Sequence, residues 1–284
     1  ELVPKGKVYA VELVKDFCDV DVWEGDLPPS REELIKHVRG VDGLLCLLTD
    51  KIDSEVIDAA GSQLKVISNF AVGFDNIDVS AATARKIPVG NTPDVLTDST
   101  ADFAFTLMLS AGRRVLEGAR YVREGKWQTW NPMHLLGIEL KGTTLGLVGF
   151  GRIGKAMARR AMGFDMRVIF YDPSETGYDL DVKATAVDLK TLLAESDFIS
   201  LHTPLTPATR HLIDAEALAK MKQSAVLVNT ARGPVVDMDA LYAALKSKRI
   251  FAAGLDVTEP EPLPADHPLL TLDNVVIVPH IASA

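Results

Sequence analysis

The sequence lacks the features that typify membrane, nucleic-acid-binding and disulfide-rich secreted proteins. No apolar run reaches the roughly 18–20 residues that span a bilayer, and no basic segment followed by an apolar stretch opens the chain. The formal net charge is -9, which disfavours nonspecific binding to nucleic acid. Only two cysteines occur, Cys18 and Cys46, and we expect two buried thiols rather than a disulfide or a metal site. We therefore expect a cytoplasmic protein without membrane, nucleic-acid or metal partners.

What the sequence does contain is an alternation of short apolar strands with amphipathic helices. With 284 residues, 47% of them hydrophobic, the chain is long enough for one or two domains with a real core. The alternation is typical of parallel βαβ units. The later strands are nearly all apolar, as expected for a sheet with helices on both faces. The predicted strands are 19–23, 43–48, 64–69, 89–91, 144–149, 167–171, 198–202, 225–229, 253–257 and 275–278.

A long helix is predicted between the two sets of strands. Residues 98–123 carry apolar side chains at helical spacing without a proline, so we expect one continuous helix that connects two domains. We place the first domain at residues 1–95 and the second at 96–284. Residues 1–17 are also predicted to form a helix, although a doubly wound domain normally begins with a strand. The sequence thus predicts an α/β protein whose first domain lacks its opening strand.

A glycine-rich turn follows the apolar segment that begins at Thr144. Gly149, Gly151 and Gly154 form the pattern G-x-G-x-x-G at a predicted strand–turn–helix junction. Such glycines allow a tight turn, close approach of a pyrophosphate and close packing of the helix, whose N-terminus attracts phosphate. Asp172 ends the next strand, where a carboxylate binds ribose hydroxyls and repels a 2′-phosphate. We expect NAD(H) to be preferred, with NADP(H) as the alternative.

Three ionisable side chains follow strands of the second domain. Arg232, Glu261 and His280 each lie beyond a predicted strand, and the carboxyl ends of parallel strands form the ligand-binding edge of such sheets. Reduction of a 2-oxoacid requires a proton donor and a counterion for the carboxylate. Histidine suits the first role, especially beside a carboxylate, and arginine suits the second. Each residue alone is better explained by a structural role, and only their joint placement at strand ends, downstream of a dinucleotide turn, indicates catalysis.

With these motifs, the sequence resembles the D-isomer-specific 2-hydroxyacid dehydrogenase family along nearly its whole length, and most closely its glyoxylate/hydroxypyruvate reductase branch. The resemblance implies a Rossmann-type doubly wound sheet plus a flavodoxin-like α/β substrate domain. It also implies that the first strand and a C-terminal return helix of the substrate domain are missing from this sequence, and that the protein is a homodimer. The segments that carry it are LGLVGFGRIG (145–154), DFISLHTPLTPATRHL (197–212), VNTARGPVVD (228–237), AGLDVTEPEPLP (253–264) and VPHIASA (278–284).

The resemblance implies roles for individual residues. Arg232 and the pair Glu261–His280 match the catalytic residues, and Glu261 is chosen over Glu259 because the family pattern has a proline after this glutamate. Val72 and Gly73 match a loop whose backbone amides bind the substrate carboxylate, with Arg232 and His280. The implied cofactor contacts are Thr100, Gly149, Gly151, Arg152, Ile153, Gly154, Asp172, His202, Thr203, Pro204, Thr230, Ala231 and Asp256.

The expected function is NAD(P)H-dependent reduction of a small 2-oxoacid, of the glyoxylate or hydroxypyruvate type, to the D-2-hydroxyacid, and the reverse. Among enzymes, the alternative is a dehydrogenase for another small acid such as 3-phosphoglycerate or phosphite. Formate is disfavoured because Glu261 is present beside the histidine, and a phosphorylated substrate because residues 69–76 contain no cation. A different class remains open as well, a non-catalytic NAD(H)-sensing, corepressor-like binding protein.

Overall fold

The structure is a computed structural model that describes residues 11–174 and 182–284. The chain divides into two compact units, Glu1–Thr92 and Pro93–Ala284. The strands are β1 Gly43–Cys46, β2 Val66–Asn69, β3 Val89–Gly90, β4 Thr144–Val148, β5 Arg167–Tyr171, β6 Ala184–Ala186, β7 Phe198–Leu201, β8 Val226–Asn229, β9 Ala252–Leu255 and β10 Val275–Ile277. The α-helices are α1 Arg31–His37, α2 Ser54–Ala60, α3 Val79–Ala84, α4 Thr97–Gly112, α5 Val115–Arg123, α6 Arg152–Met162, α7 Leu189–Glu195, α8 Ala215–Lys220 and α9 Met238–Lys246.

The first unit contains a parallel sheet in the order β1-β2-β3 with helices α1, α2 and α3. Each helix is preceded by an N-cap residue whose side chain accepts the backbone N–H three residues further along. The N-cap residues of α1, α2 and α3 are Ser30, Asp53 and Asp78. The core of the unit contains Ile57 from α2 and Ile67 from β2, both fully buried. Apolar burial between this sheet and these helices therefore fixes the loops that follow the strands.

The N-terminal segment differs from its prediction. The predicted helix 1–17 lies partly outside the described residues, and 11–15 are helical. The predicted strand 19–23 is wrong, because this segment forms no ladder and Trp23 instead donates its indole N–H to the carbonyl of Leu27 at 2.8 Å. Cys18 is exposed, so the prediction of two buried thiols is correct only for Cys46.

The second unit contains a parallel sheet in the order β10-β9-β8-β7-β4-β5-β6. Strands β4, β7, β8 and β9 are buried at every residue, as the apolar runs predicted. The chain runs outward from β4 in one direction through β5 and β6, then returns to β7 on the other side. The turns after β4 and β7 consequently diverge, and such a switch point is where open α/β sheets bind their ligands. The Rossmann-type fold class is confirmed.

The long helix predicted over 98–123 is two helices, α4 and α5. Between them Arg114 has φ +55, and the carbonyl of Gly112 accepts the N–H of Ile138 instead of continuing the helix. Gly112 lies so close to β7 that an added Cβ would be 2.8 Å from the ring of Phe198. Tertiary contacts thus end α4 without any proline.

The remaining differences are small. Strand β6 was not predicted, and most predicted strands extend one or two residues beyond the observed ends. In the described part of the chain, no helix combines the length and the apolar character needed to cross a membrane.

Candidate active site

The glycine turn after β4 lies at the switch point of the seven-stranded sheet. Gly149 has φ +94, and a Cβ on it would be 2.5 Å from the carbonyl oxygen of His202, which follows β7. A Cβ on Gly154 would overlap the carbonyl oxygen of Gly149. Both glycines are therefore required by backbone geometry, since any side chain would separate the turn from the helix or from β7.

Gly151 has a different role in the same turn. Its φ is -73, which any residue adopts, and nothing lies within 4 Å of the position of a Cβ. It precedes α6, whose N-terminus has no side-chain cap. Free N–H groups at a helix N-terminus beside open space are suited to a dinucleotide pyrophosphate.

Asp172 follows β5 beside this turn. Its Oδ2 accepts the N–H of Phe150 at 2.8 Å, and its Oδ1 accepts the N–H of Ser174 at 2.9 Å. These bonds hold the carboxylate where ribose hydroxyls of a dinucleotide would approach. Arg152, predicted to contact the cofactor, forms an ion pair with Asp94 at 2.5 Å, and both side chains are exposed.

Two buried polar atoms after neighbouring strands have no partner in the described residues. They are Nε2 of His202, after β7, and Oγ1 of Thr230, after β8. Burial lowers the pKa of His202 to about 3, so its imidazole is neutral. Buried polar groups are normally satisfied, and such orphans at the ligand-binding edge are consistent with a bound cofactor. The residues of this edge thus suit a dinucleotide.

The other predicted cofactor residues are distributed along the same unit. Ile153 is in the first turn of α6, Thr203 and Pro204 continue from His202, and Thr100 is buried in α4. Ala231 donates its N–H to Oδ1 of Asn229 at 3.0 Å.

Arg232, Glu261 and His280 come together beyond the ends of β8, β9 and β10. Nδ1 of His280 is 2.6 Å from Oε1 of Glu261, and Oε2 of Glu261 accepts the N–H of Thr258 at 3.2 Å. Asn229 holds the carbonyl of Arg232 at 2.8 Å. An imidazole oriented by a carboxylate beside a guanidinium is the arrangement needed for proton transfer to a carboxylate-bearing substrate.

The charges of this cluster act on one another. The hydrogen bond to Glu261 raises the pKa of His280 although burial opposes it, and Asp256 raises it further. Burial raises the pKa of Glu261, but the hydrogen bond and the charge of His280 outweigh it, so the net pKa is below the ordinary value. Arg232 lowers both pKa values. The pair therefore favours an imidazolium bound to a carboxylate.

Gly233, which sequence reasoning missed, brings the arginine loop against the glutamate loop. A Cβ on Gly233 would overlap the carbonyl oxygen of Thr258, whose N–H donates to Glu261. The glycine directly after Arg232 was the available signal, but the approach depends on tertiary structure. Close backbone contact thus keeps the two loops together.

Glu259, the alternative to Glu261, has different partners. Its carboxylate binds Arg210 at 2.6 Å and His211 at 3.2 Å. The structure therefore pairs Glu261, and not Glu259, with His280.

The loop with Val72 and Gly73 belongs to the first unit. The amide of Asn91 binds the carbonyl of Val72 at 2.8 Å, and that of Asn69 binds the carbonyl of Gly73 at 2.7 Å. These two bonds occupy the carbonyls of Val72 and Gly73. The N–H groups of the same residues have no acceptor within residues 11–174 and 182–284. The orienting role of these asparagines was not predicted, because an asparagine after a strand is also an ordinary turn residue.

The fold and the edge of the sheet define a nicotinamide-dinucleotide-dependent oxidoreductase. Comparison with known proteins agrees with this class of enzyme. The family model for the D-isomer specific 2-hydroxyacid dehydrogenase, NAD binding domain, matches residues 105–282. The chain belongs to the D-isomer specific 2-hydroxyacid dehydrogenase family, as the sequence predicted, and the predicted class of enzyme is confirmed.

Individual relatives cover most of the chain. It is 53% identical over 273 residues to a glyoxylate reductase of Korarchaeum cryptofilum, a match that spans 95% of this chain and 82% of the relative. A glyoxylate reductase of Thermofilum pendens is 54% identical, over 96% of this chain and 82% of its own length. Among solved structures, the TT0316 protein from Thermus thermophilus has a TM-score of 0.88 and 48% identity, over 96% of this chain and 86% of its own.

Proposed function

We propose that this enzyme reduces glyoxylate and hydroxypyruvate to the corresponding hydroxyacids, with NADH as the preferred reductant. The observation that carries the proposal is the 2.6 Å bond between His280 and Glu261 beside Arg232. The names of the relatives support the same substrate class. The absence of a cation from residues 69–76 argues against 3-phosphoglycerate, and Glu261 argues against formate.

In the proposed mechanism, His280 is the acid. When bound, NADH supplies the hydride for the carbonyl carbon of the substrate. Protonated His280 keeps Nδ1–H on Glu261 and donates the Nε2 proton to the carbonyl oxygen. The hydride thus forms the new C–H bond and the proton forms the O–H bond, which converts the carbonyl group to an alcohol. Arg232 binds the substrate carboxylate or polarises its carbonyl. His202 is neutral and buried, so it is unsuited to act as a second acid.

The roles of the two units follow from the same proposal. We assign dinucleotide binding to the second unit and a contribution to substrate binding to the first, through the amides of Val72 and Gly73. The side-chain amides of Asn69 and Asn91 hold the carbonyls of these two residues, and backbone N–H groups oriented in this way suit a carboxylate. The preference for NADH is assigned to Asp172.

The decisive experiment replaces His280 by alanine and measures NADH oxidation with glyoxylate, hydroxypyruvate, pyruvate and 3-phosphoglycerate. Loss of general acid catalysis predicts that turnover falls by about 100-fold or more. His211→Ala is the matched control, because His211 also pairs with a glutamate but lies outside the proposed machinery. Equal activity of both variants would refute the role of His280. A wild-type protein that binds NADH but oxidises it with none of these acids would favour the NAD(H)-sensing alternative.

We also propose a homodimer in the cytoplasm. Large apolar side chains are exposed along α5 and the segment after it, which suggests that a second copy covers them. They are Val115, Leu116, Val122, Trp127, Trp130, Met133 and Leu136.

The proposed location in the cytoplasm rests on the free thiols Cys18 and Cys46, which suit a reducing compartment. Cell fractionation tests this location.

A further inference from the structure

Two side-chain amides of the first unit bind each other beside the loop of Val72 and Gly73. Nδ2 of Asn69 donates to Oδ1 of Asn76 at 3.1 Å, and Nδ2 of Asn76 donates to Oδ1 of Asn69 at 3.3 Å. Asn69 is the last residue of β2 and is fully buried. A buried polar network whose members are all satisfied is rigid. We call Asn69 and Asn76 the amide pair.

The side chain of Asn69 uses its full capacity for hydrogen bonds. Besides the bonds to Asn76, its Nδ2 donates to the carbonyl of Gly73 at 2.7 Å, and its Oδ1 accepts the thiol hydrogen of Cys46 at 3.4 Å. An asparagine amide has two N–H groups and two lone pairs, and all four are engaged. Rotation of the amide by 180° would place its oxygen against the carbonyl oxygen of Gly73. The contacts therefore allow one orientation, in which Asn69 holds Gly73.

Asn76 connects the amide pair to the loop that follows β1. Its Nδ2 also donates to the carbonyl of Leu47 at 3.0 Å and to that of Asp50 at 3.1 Å. The turn between these two residues is closed by the N–H of Leu47, which donates to Oδ2 of Asp50 at 2.8 Å. The backbone carbonyl of Asn76 accepts the N–H of Ile52 at 2.8 Å. Because both the main chain and the side chain of Asn76 are held, it is a fixed support for Asn69.

We propose that Asn76 is a positioning residue for substrate binding, which acts through Asn69 on the carbonyl of Gly73. The amide pair thereby orients the N–H groups of Val72 and Gly73 towards the carboxylate of the 2-oxoacid. This inference rests on the proposed function. The substrate carboxylate is unchanged while the adjacent carbonyl group is reduced, so its contacts are equally strong in the ground state and the transition state. Loss of such contacts raises KM and leaves kcat nearly unchanged.

The test is a double-mutant cycle with Asn69→Ala, Asn76→Ala and the variant that carries both changes. KM and kcat are measured with glyoxylate at saturating NADH, and the NADH dissociation constant is measured by fluorescence without substrate. Each single variant should raise KM about tenfold or more, while kcat and the NADH dissociation constant change less than about threefold. If Asn76 acts through Asn69, the KM of the double variant equals that of Asn69→Ala, whereas independent roles would multiply the two increases.

The matched control is Asn274→Ala in the second unit. Asn274 precedes β10, and its Nδ2 donates to the carbonyls of Leu245 at 3.2 Å and Phe251 at 3.1 Å. This variant also loses side-chain bonds to two backbone carbonyls, so denaturant unfolding should show a lower stability, but the KM for glyoxylate should stay within about twofold of the wild-type value. The variants Asn69→Ser and Asn76→Ser shorten the same side chains and keep a polar group. They replace the alanine variants in the cycle if those fail to fold.

The positioning role is overturned if the Asn76 variant keeps the wild-type KM, or if the two increases in KM multiply in the double variant. A wild-type protein that oxidises no NADH with any 2-oxoacid removes the proposed function instead. The effect of Asn76 on the loop is then decided by the backbone amide resonances of Val72 and Gly73 in NMR spectra of the protein without ligands. Both resonances shift in the Asn76 variant if the amide pair orients this loop, and unshifted resonances refute it.

Discussion

At the scale of single residues, the bond between His280 and Glu261 sets the pH range of the acid. Glu261 raises the pKa of His280 above its ordinary value of 6.5. Protonated His280 is the active acid, and its bond to Glu261 also stabilises the folded protein. This stabilisation is fully present below the pKa of His280 in the unfolded chain, and it is lost as pH rises through the higher pKa of His280 in the folded protein. Activity is lost over the same range. We expect kcat/KM for glyoxylate reduction to fall at alkaline pH, with a midpoint above 6.5.

Glu261→Gln tests this origin of the pH dependence. Without the carboxylate the pKa of His280 falls, so the alkaline limb of the pH–rate profile moves to lower pH and kcat at neutral pH decreases about tenfold or more. Glu259→Gln, which alters only the neighbouring contacts with Arg210 and His211, is the control and should leave the limb in place. A limb that does not move in Glu261→Gln would contradict the assignment.

Alanine substitutions at two glycines of the site are expected to have different effects. Gly233→Ala introduces a Cβ that overlaps the carbonyl oxygen of Thr258, so we expect a loss of stability of about 1–3 kcal/mol and a tenfold or larger loss of kcat/KM. Gly151→Ala places its Cβ in open space, so stability should be kept while the KM for NADH rises. Denaturant unfolding and NADH titrations measure both. Equal unfolding free energies in the two variants would contradict this expectation.

The candidate site was predictable where local pattern carries the signal. The G-x-G-x-x-G turn and Asp172 follow from the order strand, turn, helix, strand. Glu261 and His280 were ambiguous from sequence alone and were selected by resemblance, and the structure places them in contact. The close approach of Gly233 to Thr258, and the bonds that the carboxylate of Asp256 accepts from the N–H groups of Ile281 and Ala282, join loops that are distant in sequence. No periodicity in the sequence reports such contacts.

At the scale of elements, two helices end with a lysine in the left-handed conformation. After α3, Lys86 has φ +60, and the N–H of Ile87 binds the carbonyl of Ala82. After α9, Lys248 has φ +56, and the N–H of Arg249 binds the carbonyl of Ala244. These are Schellman motifs, in which glycine is the preferred residue at the position of the lysine.

Each lysine is therefore a site for stabilisation. Lys86→Gly and Lys248→Gly should each increase the free energy of unfolding by about 0.5–1 kcal/mol, because glycine adopts this conformation without a Cβ penalty. The matched controls, Lys86→Ala and Lys248→Ala, retain the Cβ and should show no gain. Chemical denaturation followed by circular dichroism measures the difference. An alanine variant as stable as its glycine counterpart would show that φ is not the cause.

The elements themselves were predicted unequally. The buried strands of the second unit were found because they are apolar throughout. Strand β6 was missed because its residues, Ala184–Ala186, offer no apolar run. The break between α4 and α5 was missed because Arg113 and Arg114 carry no breaking signal, and contacts of Gly112 with Phe198 and Ile138 decide it.

At the scale of the whole molecule, the exposed side chains after α5 predict the state of association. The mass in solution should be twice the 30.8 kDa of one chain. Trp130→Glu, at a side chain that is 79% exposed, should shift the protein towards the monomer. Leu27→Glu, which is 78% exposed in the first unit, is the control and should not change the mass. Light scattering after gel filtration measures it, and a wild-type monomer would exclude the proposed dimer.

The unequal environments of the two cysteines give this protein a ready site for chemical labelling. Burial raises the pKa of Cys46 to about 12, so its thiol stays protonated and inaccessible at neutral pH. Cys18 is exposed. A maleimide dye should therefore attach at one position without any mutagenesis. An optical reporter placed on Cys18 would leave the glycine turn, Arg232 and His280 chemically untouched.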